Sequence, residues 1–100
     1  MHYLLIYETV QDYVTQRTAF RELHLAHAQA AVQRGELVLG GASGDPVDGA
    51  VIVFSATSAE VPQEFAKADP YVINGLVKHW YVKPWHTVVG QPAAIATNAG

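Results

Sequence analysis

The stretch from about Asp12 to Arg34 constrains the fold most, because its pattern predicts one long helix with an uneven surface. Gly35 follows it directly and is expected to end the helix in the left-handed conformation. At about 100° per residue, five side chains project to one side and form an apolar stripe, namely Phe20, Leu23, His27, Ala30 and Ala31. The chain therefore needs a sheet on which this stripe can pack.

One flank of the same helix carries an unusual set of side chains. Arg17, Arg21, His24 and Ala28 follow one another along the border of the apolar stripe, at successive spacings of one helical turn. Two guanidinium groups and an imidazole therefore line up beside an alanine that leaves room next to the ring. Solvated charge is common on a helix flank, so a structural interpretation of the arginines stays open, whereas the place of His24 favours a functional role.

Four short runs rich in apolar, branched and aromatic residues predict strands. Polar and turn-forming residues separate these runs, and the segment Ala42–Gly49 is a predicted hairpin loop. The glycine pair that ends the second run predicts a bulge or a close backbone approach. The predicted strands are Tyr3–Glu8, Glu36–Gly41, Ala50–Ala56 and Val77–Trp85.

A second helix is predicted between the third and fourth strands. Thr57 and Glu60 have capping-box spacing at its start, and the helix runs to about Ala68. The Asp69-Pro70 step ends it, and residues 71–76 form a connector. The order β-α-β-β-α-β predicts an α+β, ferredoxin-like fold, a four-stranded antiparallel sheet with two helices on one face.

The second face of such a sheet stays bare in a monomer. The last strand carries Trp80, Tyr81 and Trp85, and half of the whole chain is apolar, so we expect a second copy to cover this face and form a dimeric α+β barrel. Residues 1–90 form the predicted domain, and the tail Gln91–Gly100 shows no periodicity, so it is expected to be frayed or docked on a neighbouring subunit.

Composition excludes several classes of function. The net charge of −3 and six scattered basic residues argue against a nucleic-acid partner. The chain has no cysteine, hence neither disulfides nor thiolate chemistry. No segment is apolar enough to span a membrane, and the start of the chain lacks the features of a signal peptide, so a cytoplasmic protein is expected.

Asp69 is the second candidate for chemistry. The residue before a proline is pushed out of the helical region, so the Asp69 carboxylate leaves the second helix at its C-terminal end, where the macrodipole disfavours negative charge. Both helices lie on the same face of the predicted sheet, so Asp69 can meet His24. A carboxylate on one imidazole nitrogen fixes the tautomer and leaves the other nitrogen free for general acid/base chemistry. The plain alternative is that Asp-Pro is simply a favourable turn.

The remaining candidates are a substrate clamp and a metal site. Arg17 and Arg21 suit a carboxylate, enolate or phenolate on a substrate. A metal site is disfavoured, because His24 and His27 have no acidic residue at ligand spacing and His27 points into the apolar stripe. Tyr71, Trp80 and Trp85 are predicted to lie in the core or an interface, although one of them, with Tyr71 our choice, can also wall a substrate pocket. No cofactor is predicted.

Four motifs resemble those of the YCII-like family, and the resemblance covers about residues 1–88. They lie in Arg17–Leu25, Gly35–Gly41, Ala68–Leu76 and Val82–Trp85. The resemblance implies a ferredoxin-like fold that dimerises as an α+β barrel, with a His-Asp pair at His24 and Asp69 and an arginine at Arg21. One characterised branch of that family removes chloride from a chlorinated hydroxyquinol.

The first hypothesis is therefore a small cofactor-free enzyme of the lyase, dehydrochlorinase-like or isomerase kind. Its His-Asp pair would act on a small anionic or aromatic molecule. One alternative is a binding or sensing module that holds a small anion in the same pocket without turnover. Another is a cofactor-free oxygenase of the α+β-barrel group, with Trp80 or Trp85 near the pocket.

Overall fold

A computed structural model describes residues 1–90. The predicted tail, Gln91–Gly100, lies outside the described residues. Within residues 1–90, every helix is too short or too polar to cross a lipid bilayer.

Four antiparallel strands form one sheet in the order β2-β3-β1-β4. Their bounds are β1 His2–Thr9, β2 Leu37–Ser43, β3 Gly49–Ser55 and β4 Val77–Trp85. This order and the placement of the helices on one face confirm the predicted ferredoxin-like fold. The hairpin loop is shorter than predicted, because β2 runs two residues past the glycine pair and β3 starts one residue earlier.

Strand β2 contains a bulge, but at its start and not at its end, where the glycine pair predicted one. The register shifts between Leu37 and Leu39, just before the glycine pair. A side chain on Gly40 would lie 3.3 Å from Ile52 of β3, which is the close approach that the glycine pair predicts.

The first helical region is divided, which the sequence pattern did not predict. It consists of α1 Tyr13–Gln16, a 3₁₀ helix Arg17–Phe20 and α2 Arg21–Gln33. Gly35 ends the region with φ of 77°, as predicted. A single 3₁₀ turn keeps apolar residues near the same side of the axis, so counting at a helical period does not detect it.

Leu23 is wrongly placed in the predicted apolar stripe. It is 62% exposed, whereas the side chain of His24 is only 17% exposed. The buried direction of α2 lies between His27, Ala31 and the flank with His24 and Ala28, so the axis is rotated toward the flank that carries the candidate site. His24 and Ala28, which were predicted to lie at the border of the apolar stripe, are therefore close to the centre of the buried side of α2.

The second helical region bends at Asp69. Helix α3 spans Glu60–Ala68 and α4 spans Pro70–Ile73, where the sequence predicted only a connector. The capping box predicted at Thr57 does not form. Instead, the Ser58 hydroxyl accepts the Glu60 amide proton.

The core lies between the helices and one face of the sheet. Strand pairing places Tyr7, Ala50 and Trp80 side by side on this face, and half-buried Trp80 packs against the core. Of the two places predicted for Trp80, the core is therefore correct and the bare face is wrong. The bare side, hereafter the open face, presents Leu4, Ile6, Val51, Tyr81 and Trp85, because side chains alternate along each strand.

Candidate active site

Asp69 lies at the bend between α3 and α4, in extended conformation with φ of −69° and ψ of 124°. Pro70 disfavours the helical region for the residue before it and thus holds this bend open. One carboxylate oxygen, Oδ1, accepts the backbone N–H of Tyr71 at 2.9 Å. Asp69 is therefore the N-cap of α4, where a negative charge is favoured, and the expectation that it suffers from a helix C-terminus is incomplete.

His24 meets this carboxylate as the sequence predicted. Its Nδ1 lies 2.8 Å from Asp69 Oδ1, and because a carboxylate oxygen can only accept, Nδ1 donates. The imidazole ring stacks on Tyr71, with ring centres 3.8 Å apart and planes inclined by 8°. No hydrogen bond within residues 1–90 engages Nε2, which is the nitrogen left for proton transfer.

Tyr7 completes the environment of Asp69 and was missed by the sequence reasoning. Its hydroxyl donates to Asp69 Oδ2 over 2.7 Å. Burial raises the pKa of Tyr7 far above its usual range, and the adjacent Asp69 carboxylate raises it further. The Tyr7 hydroxyl therefore keeps its proton and stays a hydrogen-bond donor to Asp69. The alternation of β1 places it on the helix side, but no local signal connects it with a carboxylate 62 residues away.

Tyr13 is a second residue that the sequence reasoning missed. Its ring contacts Tyr71 edge to face at 5.7 Å, and the guanidinium carbon of Arg17 lies 5.4 Å from its ring centre. Burial raises the pKa of Tyr13, and Arg17 opposes that shift. Tyr13 thus positions both Tyr71 and Arg17.

These groups lie along a cleft of about 480 Å³ between α2 and the β2–β3 half of the sheet. Arg17, Arg21, His24 and Tyr71, all predicted site residues, line the cleft together with Tyr7 and Tyr13. Neither arginine forms an ion pair with a carboxylate of residues 1–90. Asp69 is 0% exposed and acts on the cleft through its partners. The structure thus brings all five predicted site residues together.

The other histidine of α2 has a packing role. The His27 ring stacks on Phe65 at 4.3 Å, and its Nε2 donates to the Phe65 carbonyl oxygen at 2.9 Å. In the described part of the chain, no group of three or more histidine or acidic residues could hold a metal ion. Neither tryptophan of β4 lines the cleft.

Comparison with known proteins gives a consistent family. The model of the YCII-related domain matches residues 1–86. Protein YciI of Escherichia coli O6:H1 is 32% identical over 97 residues, which cover 88% of this chain and 99% of that protein. Protein YciI of Shigella flexneri matches with the same identity and coverage.

Two solved structures share the fold. One is 5-chloro-2-hydroxyhydroquinone dehydrochlorinase (TftG) from Burkholderia phenoliruptrix AC1100, in complex with 2,5-dihydroxybenzoquinone. It has a TM-score of 0.70 and 20% identity, covering 85% of this chain and 93% of that chain. The other is protein Atu4242 from Agrobacterium tumefaciens, with a TM-score of 0.53, 20% identity and coverage of 83% and 89%. At this identity the likeness concerns the fold alone.

Proposed function

The chain belongs to the YCII-related domain family, and on that premise we propose that it is a small enzyme of the lyase or isomerase kind. In this proposal His24 and Asp69 move a proton on a small anionic or aromatic molecule bound in the cleft. The observation that carries the proposal is the buried Asp69 carboxylate, which holds one nitrogen of His24 and leaves the other toward the cleft.

The first step is proton removal by His24. The lone pair on Nε2 takes a proton from the substrate, and the positive charge of the resulting imidazolium lies 2.8 Å from the Asp69 oxygen. Hydrogen bonds from the Tyr7 hydroxyl to Oδ2 and from the Tyr71 amide to Oδ1 hold both carboxylate oxygens of Asp69 in place. The pair is therefore preorganised.

The second step is stabilisation of the electron pair that the proton leaves behind. Delocalised onto a substrate oxygen, this charge is an enolate or phenolate, for which Arg17 and Arg21 are suitable partners. The reaction is completed in one of two ways. His24 returns the proton to a different atom, an isomerisation, or a leaving group such as chloride departs with its bonding electrons, an elimination.

A binding or sensing module is the second candidate. Two arginines without a carboxylate partner in residues 1–90 would hold an anion with or without turnover. No observation favours the oxygenase, because Trp80 packs in the core and Trp85 lies on the open face, both away from the cleft lining.

A homodimer is part of the proposal. The open face is apolar at its centre, and a second copy of the same sheet would cover it and close an α+β barrel.

Turnover by matched variants separates the enzyme from the binding module. A first probe is 5-chloro-2-hydroxyhydroquinone, the substrate in the name of TftG, with chloride release measured alongside a panel of small aromatic acids. We expect His24→Gln and Asp69→Asn to lower turnover by about 10²–10⁴-fold, the usual contribution of a general acid/base, while ligand affinity changes little. His86→Gln, at an exposed histidine that follows β4, is the control and should retain activity.

The opposite pattern would favour the binding module. Saturable binding without turnover of any probe, weakened mainly by Arg17→Gln and Arg21→Gln, would contradict the enzyme proposal. Nitrogen NMR of the His24 ring gives an independent check, because the proposal requires the proton on Nδ1 in the neutral ring and loss of this preference in Asp69→Asn.

A further inference from the structure

The lining of the cleft is divided into a cationic end and an apolar body. Arg17 and Arg21 lie at one end, beside His24, and no aspartate or glutamate of residues 1–90 belongs to the lining. The net charge of the whole chain is −3, so the positive character of this end is local. A ligand with a single acidic group would match it.

Tyr71 adds a polar group at the same end. The residue is 2% exposed, and its hydroxyl has no hydrogen-bond partner within residues 1–90. Buried hydroxyls are nearly always paired, because leaving one unpaired costs free energy. An oxygen on a ligand beside the His24 ring, on which Tyr71 stacks, would supply that partner.

The rest of the cleft is floored by small residues. Gly40 and Ala42 of β2 lie opposite Ile52 and Ala50 of β3, and directly opposed residues of antiparallel strands share a face. Ala50 and Ile52 face the helices as part of the core, so Gly40 and Ala42 face α2 as well. Ala42 lies in one row with Ala50 and Tyr7, close to the cationic end, whereas Gly40 lies in the next row along this face, opposite Ile52.

The α2 side of the cleft also carries short apolar side chains. Ala28 lies one turn after His24 on α2 and lines the cleft together with Val32, a further turn along. Apolar side chains thus continue along the helix away from the cationic end. The space between α2 and the β2–β3 floor can accept a group that is uncharged and at least as long as this helical turn.

The volume of the cleft exceeds the needs of a single ring. A cavity of roughly 150 Å³ holds a benzene molecule, whereas the cleft measures about 480 Å³. A ring or carboxylate at the cationic end would therefore leave most of the apolar body for a further part of the ligand.

We infer that the cleft binds an amphipathic monoanion, with its acidic group at Arg17 and Arg21, beside His24, and an apolar tail of several carbons between Gly40 and the α2 wall of Ala28 and Val32. This inference rests on the proposed site and defines the class of its substrate. It requires that affinity rise with the length of the tail and depend on the negative charge.

The test uses three probes that differ in one property each. These are benzoate, 4-butylbenzoate and the neutral 4-butylbenzamide, with dissociation constants from calorimetry. Each buried carbon is expected to strengthen binding by about fourfold, so 4-butylbenzoate should bind at least tenfold more tightly than benzoate. The amide should bind at least tenfold more weakly than 4-butylbenzoate.

A side chain that fills the apolar body locates the tail. Val32→Phe should remove the advantage of 4-butylbenzoate and leave benzoate binding within about twofold, because Val32 lines the cleft two turns of α2 beyond His24. Ala28→Leu, on the same wall, should also remove the advantage of 4-butylbenzoate and serves if Val32→Phe does not fold. Ala26→Leu is the control, since Ala26 lies exposed on α2 outside the lining, and it should behave as the wild type.

The outcomes are separable from those of the proposed function. Equal affinity for benzoate and 4-butylbenzoate, or for the acid and its amide, would overturn the inference even if turnover is observed. Tail-dependent binding that persists in His24→Gln without any turnover in the wild type would support the inference and contradict the enzyme proposal.

Discussion

Asp69 accepts three hydrogen bonds, two from distant parts of the chain and one from its own bend, namely from the Tyr7 hydroxyl, His24 Nδ1 and the Tyr71 amide. Each donor fixes a different degree of freedom. The amide sets the position of Oδ1 and the phenol sets the rotation of the carboxylate, and the imidazole that this carboxylate orients lines the cleft. A general base needs such orientation before its basicity matters.

Alkaline unfolding tests the burial of Tyr7. The unfolded phenol ionises near its ordinary pKa of 10.0, whereas the folded phenol keeps its proton because burial and Asp69 raise its pKa. Its contribution to the free energy of unfolding is therefore complete below pH 10 and falls as the pH rises above that value, by about 1.4 kcal/mol per pH unit. Urea denaturation between pH 9 and 11 should show this decline.

Tyr7→Phe provides the matched comparison. The variant should be less stable at neutral pH, because Asp69 loses a donor, yet its stability should fall less steeply above pH 10. Tyrosinate absorbance gives the second readout. The idea fails if all five tyrosines ionise near pH 10 in the native protein.

At the scale of the element, the bend between α3 and α4 is what aims the carboxylate. Without a proline after it, Asp69 could adopt helical angles and α3 could continue into α4 as one helix. The sequence predicted that the Asp69-Pro70 step ends the helix. In the structure α3 ends at Ala68 and α4 begins at Pro70, so Asp69 both follows α3 and caps α4.

Pro70→Ala tests this device. We expect a loss of up to about 1 kcal/mol in the free energy of unfolding, from the greater freedom of the unfolded chain. The larger effect should be on His24, whose neutral ring should show a mixture of tautomers by nitrogen NMR instead of the Nδ1–H form alone. Pro84→Ala, on the edge strand β4, should leave the His24 spectrum unchanged. An unchanged spectrum in Pro70→Ala would show that other contacts hold Asp69.

The elements also show what could be read from sequence. The bounds of β4 and the left-handed end at Gly35 followed from local chemistry, and so did the pairing of His24 with Asp69 once both helices were placed on one face. The 3₁₀ turn Arg17–Phe20 and the exposure of Leu23 did not follow, because they depend on how α2 sits on the sheet. Tyr7 was invisible for the same reason, since its partner is defined only by the assembled fold.

At the scale of the whole molecule, the sheet has one face covered by helices and one open. Tyr81 and Trp85 are 38% and 44% exposed on the open face, beside Leu4, Ile6 and Val51 of the central strands. A stable homodimer buries about 1,600 Å² or more in total, and the open face extends across all four strands of the sheet.

Val51→Lys tests the homodimer. A charge at the centre of the proposed interface would be buried without a partner, so the variant should be a monomer of 10.8 kDa while the wild type has twice that mass by light scattering. Leu23→Lys replaces an exposed leucine on the helix side and should remain a dimer. A wild type with monomer mass at every concentration would contradict the barrel.

Because Trp80 packs in the core, Trp80→Ala should lower the free energy of unfolding before it affects dimerisation.

The position of β1 at the centre of the sheet has a consequence for synthesis on the ribosome. Strand β1, which carries Tyr7, is synthesised before its two neighbours in the sheet. Of these, β3 precedes the second helical region in the sequence and β4 follows it. The residues of the site have all left the tunnel soon after Tyr71, but the strand beneath them gains its last neighbour only when Trp85 follows. A nascent chain stalled between these two points would contain every residue of the candidate site and still lack β4, one of the two strands that pair with β1.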